Sequence, residues 1–567
     1  MIKMQKKFIN QYSVVLFLLI LFYVSNNIYF LYQDQTPLVW EAIQHHKTSV
    51  ENYGQFKQGN ILGLFNQYLF FNGSPLAFYP SFFLYPFFGT SQDVTAFQGT
   101  IFLVILIIAT YLLGKELFNK NVGLLSAVLI SFSPLILAIS KIPYEDIAFV
   151  ALFTLTLYFF VKSKKFSDIK YTWLFNVSLG MTLLSKLYSI VNLFFIFFTF
   201  FLLILIFDRT NLKKFFSKWN KKNIIHFIIS FLVSMILPLI NYLILLTRRV
   251  SDIFIAYNIQ GTGFFNFRTL SLTIFNYFRT VVFNFGYTPI FILFVIAFVF
   301  FLLFSKRNKL FILSLIIGAN LYHLLFLLFF TDYIEYITRY LAFIKPIYII
   351  VLSVFLITYP YNIILKILKK NRINFFSKEK YVLYLIIISF IVLIPLTLVF
   401  NYNNEPTKTD DLYPVFGKNH PLKYSHDIQE ILDELSIITE YENQTIFVFS
   451  EKNLFVDIIY FYFSENNRVE VITLFDEPQG FMFVDKYEKP LDKYNHIIEN
   501  NSIQYTELET FNFVIISEEF IGNHSKEYMD YHSKILLYFN EMNKYELFKE
   551  INIDYINITV SIYKIKR

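Results

Sequence analysis

The chain of 567 residues has no cysteine, which removes disulfides, thiolate metal sites and cysteine nucleophiles from consideration. Charge is scarce as well: 16% of residues are Asp, Glu, Lys or Arg, against about 25% in a soluble protein. Neither a P-loop nor a GxGxxG motif occurs, so the usual phosphate cradles of nucleotide-using enzymes are missing. What is present is apolar. Hydrophobic residues make up 56% of the chain, aromatic residues 20%, and Phe alone occurs 72 times. No soluble domain has an interior for that much apolar surface, so the solvent for most of this chain is lipid.

The formal net charge of +7 conceals a division. Residues 401–567 hold 15 Lys+Arg against 29 Asp+Glu, which leaves 34 and 13 for the first 400 residues. The basic part is no nucleic-acid binder, because its charges sit in short runs between apolar segments. Those segments fall near 12–31, 94–113, 121–139, 144–161, 171–187, 189–207, 224–246, 287–304, 310–330, 341–360 and 381–400. Each approaches the roughly 20 residues needed to cross a bilayer. The first lacks a small-residue cleavage site and reads as a retained anchor. Lys3, Lys6 and Lys7 precede it. Lys115 and Lys120, Lys162 to Lys170, Lys213 to Lys222, Lys306 to Lys309, and Lys366 to Lys380 mark the loops after the even-numbered segments. The positive-inside rule then places the N-terminus in the cytoplasm and residues 401–567 outside, in a plasma membrane.

The expected fold is mainly α and polytopic. A transmembrane domain of about eleven helices, residues 1–400, is followed by an extracytoplasmic α/β domain, residues 401–567. In the latter, 445–450, 468–475 and 511–517 read as buried strands, and 424–441, 452–463 and 526–543 as helices. Its acidity reads as a solvated surface, or as a face for an acceptor or partner. The first outer loop, 32–93, mixes aromatic and polar residues in runs suited to helices lying in the membrane interface. The cytoplasmic loops are too short for a nucleotide-binding domain. Any reaction therefore takes place outside or within the membrane, without a nucleotide bound on the cytoplasmic side.

Several charged residues stand out against this background. Asp34 follows the first segment. At a helix end a carboxylate costs little, so it reads either as interfacial polarity or as chemistry. Glu145 and Asp146 interrupt SKIPYEDIAFVALF on the same side of the membrane. They read as acids complementing a helix N-terminus or as a second acidic site. Lys186, Arg248, Arg249 and Arg339 supply outer cations, which either snorkel to headgroups or hold a lipid phosphate. His45 and His46 are adjacent, so on a helix they point about 100° apart and make no shared metal site unaided.

The order of these features resembles the GT-C glycosyltransferases, specifically the dolichyl-phosphate-mannose protein mannosyltransferase and aminoarabinose transferase-like group. An acidic site follows the first span (Asp34), and SPLAFYPSFFLYPFFG follows at 74–89. ATYLLGKELFNKNVGLLSAVLISFSPLILAISKIPYEDIAF occupies 109–149, SLGMTLLSKLYSIVNL 178–193, and TRYLAFIKP 338–346. Gln35 stands where that family usually has Glu. The resemblance implies an inverting transfer of a sugar from a polyprenyl-phosphate donor to a lipid, glycan or protein acceptor at the outer face. Asp34 would be the general base, with Glu145 and Asp146 beside it in the catalytic site. Arg339, Lys186, Arg248 and Arg249 would bind the lipid phosphate. A divalent cation is compatible with the two acidic sites and is not specified by them. A transporter or flippase of lipid-linked glycans is the competing reading. It is disfavoured by the lack of an internal repeat and by charges gathered at the outer ends of the helices.

Overall fold

The computed structural model describes residues 11–33, 41–60, 75–164, 166–186, 189–207, 221–259, 288–305, 308–329, 342–370, 381–382 and 384–389, and the strands of the C-terminal region. The chain divides into two compact units: residues 1–32 with 48–421, and residues 33–47 with 422–567.

The first unit is a helical bundle. Its helices are α1 (Gln11–Gln33), α2 (Glu41–Lys57, which begins in the other unit), α3 (Tyr79–Phe88), α4 (Gln92–Leu117), α5 (Lys120–Ser131), α6 (Pro134–Ile139), α7 (Glu145–Lys162), α8 (Ile169–Ser185), α9 (Ser189–Phe207), α10 (Lys221–Ile259), α11 (Thr288–Phe304), α12 (Lys309–Phe329) and α13 (Lys345–Lys370). Among the described residues five stretches are long and apolar enough to cross a membrane: Tyr12–Gln33, Gln92–Leu117, Ser189–Phe207, Lys221–Tyr242 and Ala342–Asn362. Lys120–Ser131, Ile290–Phe304 and Lys309–Leu324 are shorter apolar helices. The protein is an integral membrane protein.

Local sequence sets the helix ends. The Ser91 hydroxyl caps α4 by accepting from Val94 N at 3.4 Å. Asn119 caps α5 by accepting from Asn121 N and Val122 N, both at 3.1 Å. Asp168 caps α8 by accepting from Tyr171 N at 3.3 Å. Each side chain satisfies amides that the first turn leaves open. The apolar run 121–139, expected as one span, is broken: Phe132 and Ser133 end α5, and Pro134 opens the six-residue α6. A proline has no N–H to give and fits best at a first helical position. Of the interfacial helices expected in the loop 32–93, α2 and α3 lie among the described residues, whereas most of the segment 381–400 lies outside them.

Within the bundle α4 packs against α5 and α7, α7 against α8, α8 against α10, α9 against α12, and α13 against α5 and α11. Leu103, Leu106, Ile107, Ile130, Ile136, Ile147 and Phe153 form its fully buried interior. Two glycines let α4 and α5 cross closely: a Cβ on Gly114 would lie 2.9 Å from the Cα of Gly123. Phe194, Phe198 and Phe207 on α9, Leu232 and Leu239 on α10, and Ile292 and Leu303 on α11 are each at least half exposed. Such faces belong against hydrocarbon rather than water.

The second unit holds a six-stranded mixed sheet in the order β3-β2-β1-β6-β8-β7 and a two-stranded β4–β5 ribbon. The strands are β1 (Gln444–Phe449), β2 (Val469–Glu477), β3 (Gly480–Val484), β4 (Ile498–Glu499), β5 (Ser502–Ile503), β6 (Phe513–Glu519), β7 (Tyr545–Ile553) and β8 (Ile558–Ile565). β1 runs parallel to β2 and β6, while β3, β8 and β7 pair antiparallel with their neighbours. The expected strands are β1, β2 and β6, and the expected helices of this region lie outside the described residues.

Candidate functional site

The site grows from a turn and a helix end. After α6, Ser140 to Tyr144 form a tight connection, and Tyr144 takes an extended conformation (φ −89°, ψ 146°) that starts α7. Glu145 and Asp146 therefore occupy the first turn of α7, where carboxylates complement the positive end of the helix dipole. On the neighbouring helix, α8 stops at Ser185. Lys186 leaves it with an extended backbone (φ −158°, ψ 135°). The packing of α7 on α8 brings the lysine to the acids. Lys186 Nζ forms an ion pair with Asp146 Oδ1 and lies 3.8 Å from Glu145 Oε1. All three are buried: Asp146 is 2%, Lys186 3% and Glu145 8% exposed. Charges withdrawn from water to this degree persist only when paired.

The backbone beneath Lys186 is held in turn. Ser189 Oγ donates to the Lys186 carbonyl at 2.6 Å. The Tyr242 hydroxyl on α10 donates to the Leu183 carbonyl at 3.3 Å and lies 3.2 Å from Ser189 Oγ. The acidic turn is braced on its other side. Asn27 Nδ2, near the end of α1, donates to Ser140 Oγ at 3.2 Å and to Thr100 Oγ1 on α4 at 3.1 Å. A Cβ on Gly99 would lie 2.5 Å from the Ser140 carbonyl oxygen, so only glycine admits the turn this close to α4.

The structure adds a buried cation that the sequence does not single out. Lys141 is 1% exposed, and its Nζ stands 4.0 Å from the centroid of the Phe30 ring on α1. A desolvated ammonium over an aromatic face is stabilised by about 2 kcal/mol. Its signal in the sequence is a lysine set among apolar residues five positions before Asp146. A second missed feature is neutral. Tyr85 on α3 donates to Ser49 Oγ at 2.8 Å and lies 2.8 Å from Thr95 Oγ1, and Ser49 and Ser81 hydroxyls are 2.7 Å apart. Burial raises the Tyr85 hydroxyl above its ordinary pKa.

The structure thus brings together Glu145, Asp146 and Lys186. Asp34 and Arg339 lie outside the described residues. Arg248 and Arg249 are on the backbone of α10, with side chains outside the described residues. His45 and His46 are buried on α2, and burial pushes the His46 imidazole down to about 4. Among the described residues no group of three or more His, Asp or Glu side chains is placed to hold a metal ion. Between Glu145 and Asp146 the Lys186 ammonium takes the position a cation would fill, so this donor set does not fit a divalent ion.

Residues 72–242 match the family model described as dolichyl-phosphate-mannose-protein mannosyltransferase. That segment contains Lys141, Glu145, Asp146, Lys186 and Tyr242. The whole chain is similar in structure to ArnT from Cupriavidus metallidurans in the apo state, with a TM-score of 0.55, 10% identity, and coverage of 96% of this chain and 97% of that one. The same protein bound to undecaprenyl phosphate gives a TM-score of 0.53 at the same identity and coverage. The chain has the fold of ArnT, the GT-C fold expected from its sequence. No curated protein matches it by sequence.

Proposed function

We propose that this protein is a membrane glycosyltransferase that moves a sugar from a polyprenyl-phosphate donor to an acceptor at the outer face of the plasma membrane. The observation that carries the reading is the convergence of Glu145, Asp146 and Lys186 in one buried cluster, within the segment that matches the mannosyltransferase family model. The undecaprenyl phosphate bound to the similar ArnT supports the donor class. The basic loops after the even-numbered segments support the sidedness.

In the proposed reaction the acceptor hydroxyl or amine attacks the anomeric carbon and gives its proton to Asp34, the general base. The bond from that carbon to the phosphate oxygen breaks, and its electron pair leaves with the polyprenyl phosphate. A single displacement inverts the anomeric centre. Asp146 and Glu145 favour the positive charge that develops on the sugar in an oxocarbenium-like transition state. Arg339, Arg248 and Arg249 meet the phosphate, with Lys186 contributing from its place between the two acids. The acceptor is a lipid, a glycan or a protein of the cell envelope.

The test is transfer of radiolabelled sugar from polyprenyl-phosphate donors in membranes containing wild type or Asp34→Asn. Transfer by the wild type that disappears in the variant at equal expression is the expected result. Equal transfer by both proteins overturns Asp34 as the base. Movement of donor across the bilayer without transfer replaces the enzyme reading by a flippase.

A further inference from the structure

We propose that a cavity at the end of the bundle opposite the acids holds one acyl chain of an anionic phospholipid, whose phosphate is met by the basic residues beside it. The place follows from two contacts. Lys162, the last residue of α7, pairs with Glu116 in the last turn of α4 at 2.8 Å. Glu145 opens α7, so that pair lies roughly 25 Å from the acidic turn, at about 1.5 Å per residue. Phe118 follows α4 directly and forms one wall of a cavity of about 310 Å³. The cavity is therefore separate from the candidate site, with the length of a helix between them.

Its walls are apolar and held in place. Phe301 and Phe304 come from α11, and Val354, Phe355 and Tyr359 from α13. The Phe118 ring stands edge-on to Phe301 at 6.4 Å, and Tyr359 lies 5.6 Å from Phe355 and 5.8 Å from Phe304. The Tyr359 hydroxyl donates to the Phe300 carbonyl at 3.4 Å, and Asn308 Nδ2 donates to the Leu117 carbonyl at 2.6 Å. These bonds tie α13 to α11, and the turn after α11 to the end of α4, so the space is preformed. Its volume is at the lower end of the range for ligand pockets. Among the described residues no charged side chain lines it, which suits neither a sugar nor a phosphate. Phe304 is 59% exposed, and Leu303 beside it 69%, on a face that belongs against hydrocarbon. What reaches the cavity is therefore the apolar chain of a lipid. Tyr359 lies near the end of the apolar stretch Ala342–Asn362, so the head of that lipid sits at the membrane surface.

Charge selects the head. The segments 115–120 and 305–310, which contain the cavity-lining Phe118 and Ser305, hold Lys115, Lys120, Lys306, Arg307 and Lys309 against one acid, Glu116. Lys162 already neutralises that acid. Basic residues at the ends of membrane helices attract anionic headgroups, by about fivefold in affinity for each charge.

The experiment is native mass spectrometry of the purified full-length protein in detergent, with phosphatidylglycerol or phosphatidylcholine of identical chains added. Wild type is expected to keep one phosphatidylglycerol and to prefer it at least tenfold. Ala297→Phe, which fills the cavity from α11, should abolish the retained lipid. Val354→Phe fills it from the half-buried wall on α13, should do the same, and covers a failure of Ala297→Phe to fold. Thr358→Val keeps the space and should change nothing. Lys306→Gln combined with Arg307→Gln should still bind one lipid, with the preference for phosphatidylglycerol cut severalfold. Lipid retained by the folded Phe variants overturns the inference, as does equal retention of the two lipids by wild type or a preference unmoved by the loss of Lys306 and Arg307. Undecaprenyl phosphate that displaces phosphatidylglycerol at equal concentration assigns the cavity to a polyprenyl tail and overturns it too. A wild type that retains no lipid also overturns it, and a lipid-free dimer gives the cavity to a second copy of the chain.

Discussion

Replacing Lys186 by methionine would leave Glu145 and Asp146 adjacent in one helical turn, 8% and 2% exposed, without the cation between them. The cost follows from the geometry. At 3.8 Å and an effective dielectric constant of about 20, the lysine and Glu145 attract by about 4 kcal/mol before desolvation. Asp146 is closer still. Breaking a buried ion pair from one side costs about 3–5 kcal/mol, because the remaining charge stays in a medium that cannot solvate it. Lys186→Met strands two carboxylates, so it belongs at the upper end of that range. Asp146→Asn leaves Lys186 with Glu145 and should cost less, and Glu145→Gln, at the longer distance and on the less buried acid, least of all. Asp146→Asn combined with Lys186→Met removes one charge of each sign and should recover about 2–3 kcal/mol relative to the sum of the single costs, a coupling within the range seen for residues in contact. The assay is equilibrium unfolding of the purified variants in detergent, read by tryptophan fluorescence. Costs that simply add, or a Glu145→Gln as damaging as Lys186→Met, would refute the view that one lysine holds both acids.

Two further predictions concern the supports of the site. Gly99→Ala places a methyl group 2.5 Å from the Ser140 carbonyl and must displace the connection leading to the acids. It should lower transfer at least tenfold, while Gly54→Ala on α2, with nothing within 4 Å, should be neutral or stabilise by about 0.5–1 kcal/mol. His46 titrates at about 4 in the folded chain because burial disfavours its charged form, against 6.5 when free. The unfolded chain then binds the extra proton between those values. Stability is therefore complete above about pH 6.5 and falls as the pH drops toward 4, by about 3 kcal/mol for a gap of about 2.5 pH units. His46→Gln should flatten that loss in a pH series of thermal melts.

Much of the bundle could be read from the chain because lipid imposes a simple rule, a long apolar run for each crossing. α1, α4, α9 and α10 lie where the runs placed them. The break between α5 and α6 is less legible, since Pro134 sits in the middle of the run 121–139 and hydropathy does not register a missing N–H. In the sheet, β1, β2 and β6 lie inside and pair in parallel, and such strands read as continuous hydrophobic runs. β7 carries Glu546, Lys549 and Glu550 at the edge of the sheet, a pattern that conceals a strand. At the site, the sequence offered Glu145, Asp146 and Lys186 separately. Their meeting depends on α7 packing against α8, a tertiary contact 40 residues apart in the chain. Lys141 shows the opposite difficulty, because burial converts an ordinary lysine into an uncommon one and no local pattern announces that.

The first helix carries a consequence of its own. Hydropathy describes α1 as a tether, but Asn27 is fully buried and joins α4 to the connection before α7, and Phe30 supplies the face on which Lys141 rests. A generic anchor of equal length and greasiness would deliver the chain to the membrane without those two side chains. Swapping the leader for another protein's signal anchor, a common expression device, should thus yield a protein that inserts and accumulates yet is assembled wrongly at its centre. Residues 11–33 form part of the machine's frame, and their identity matters as much as their hydrophobicity.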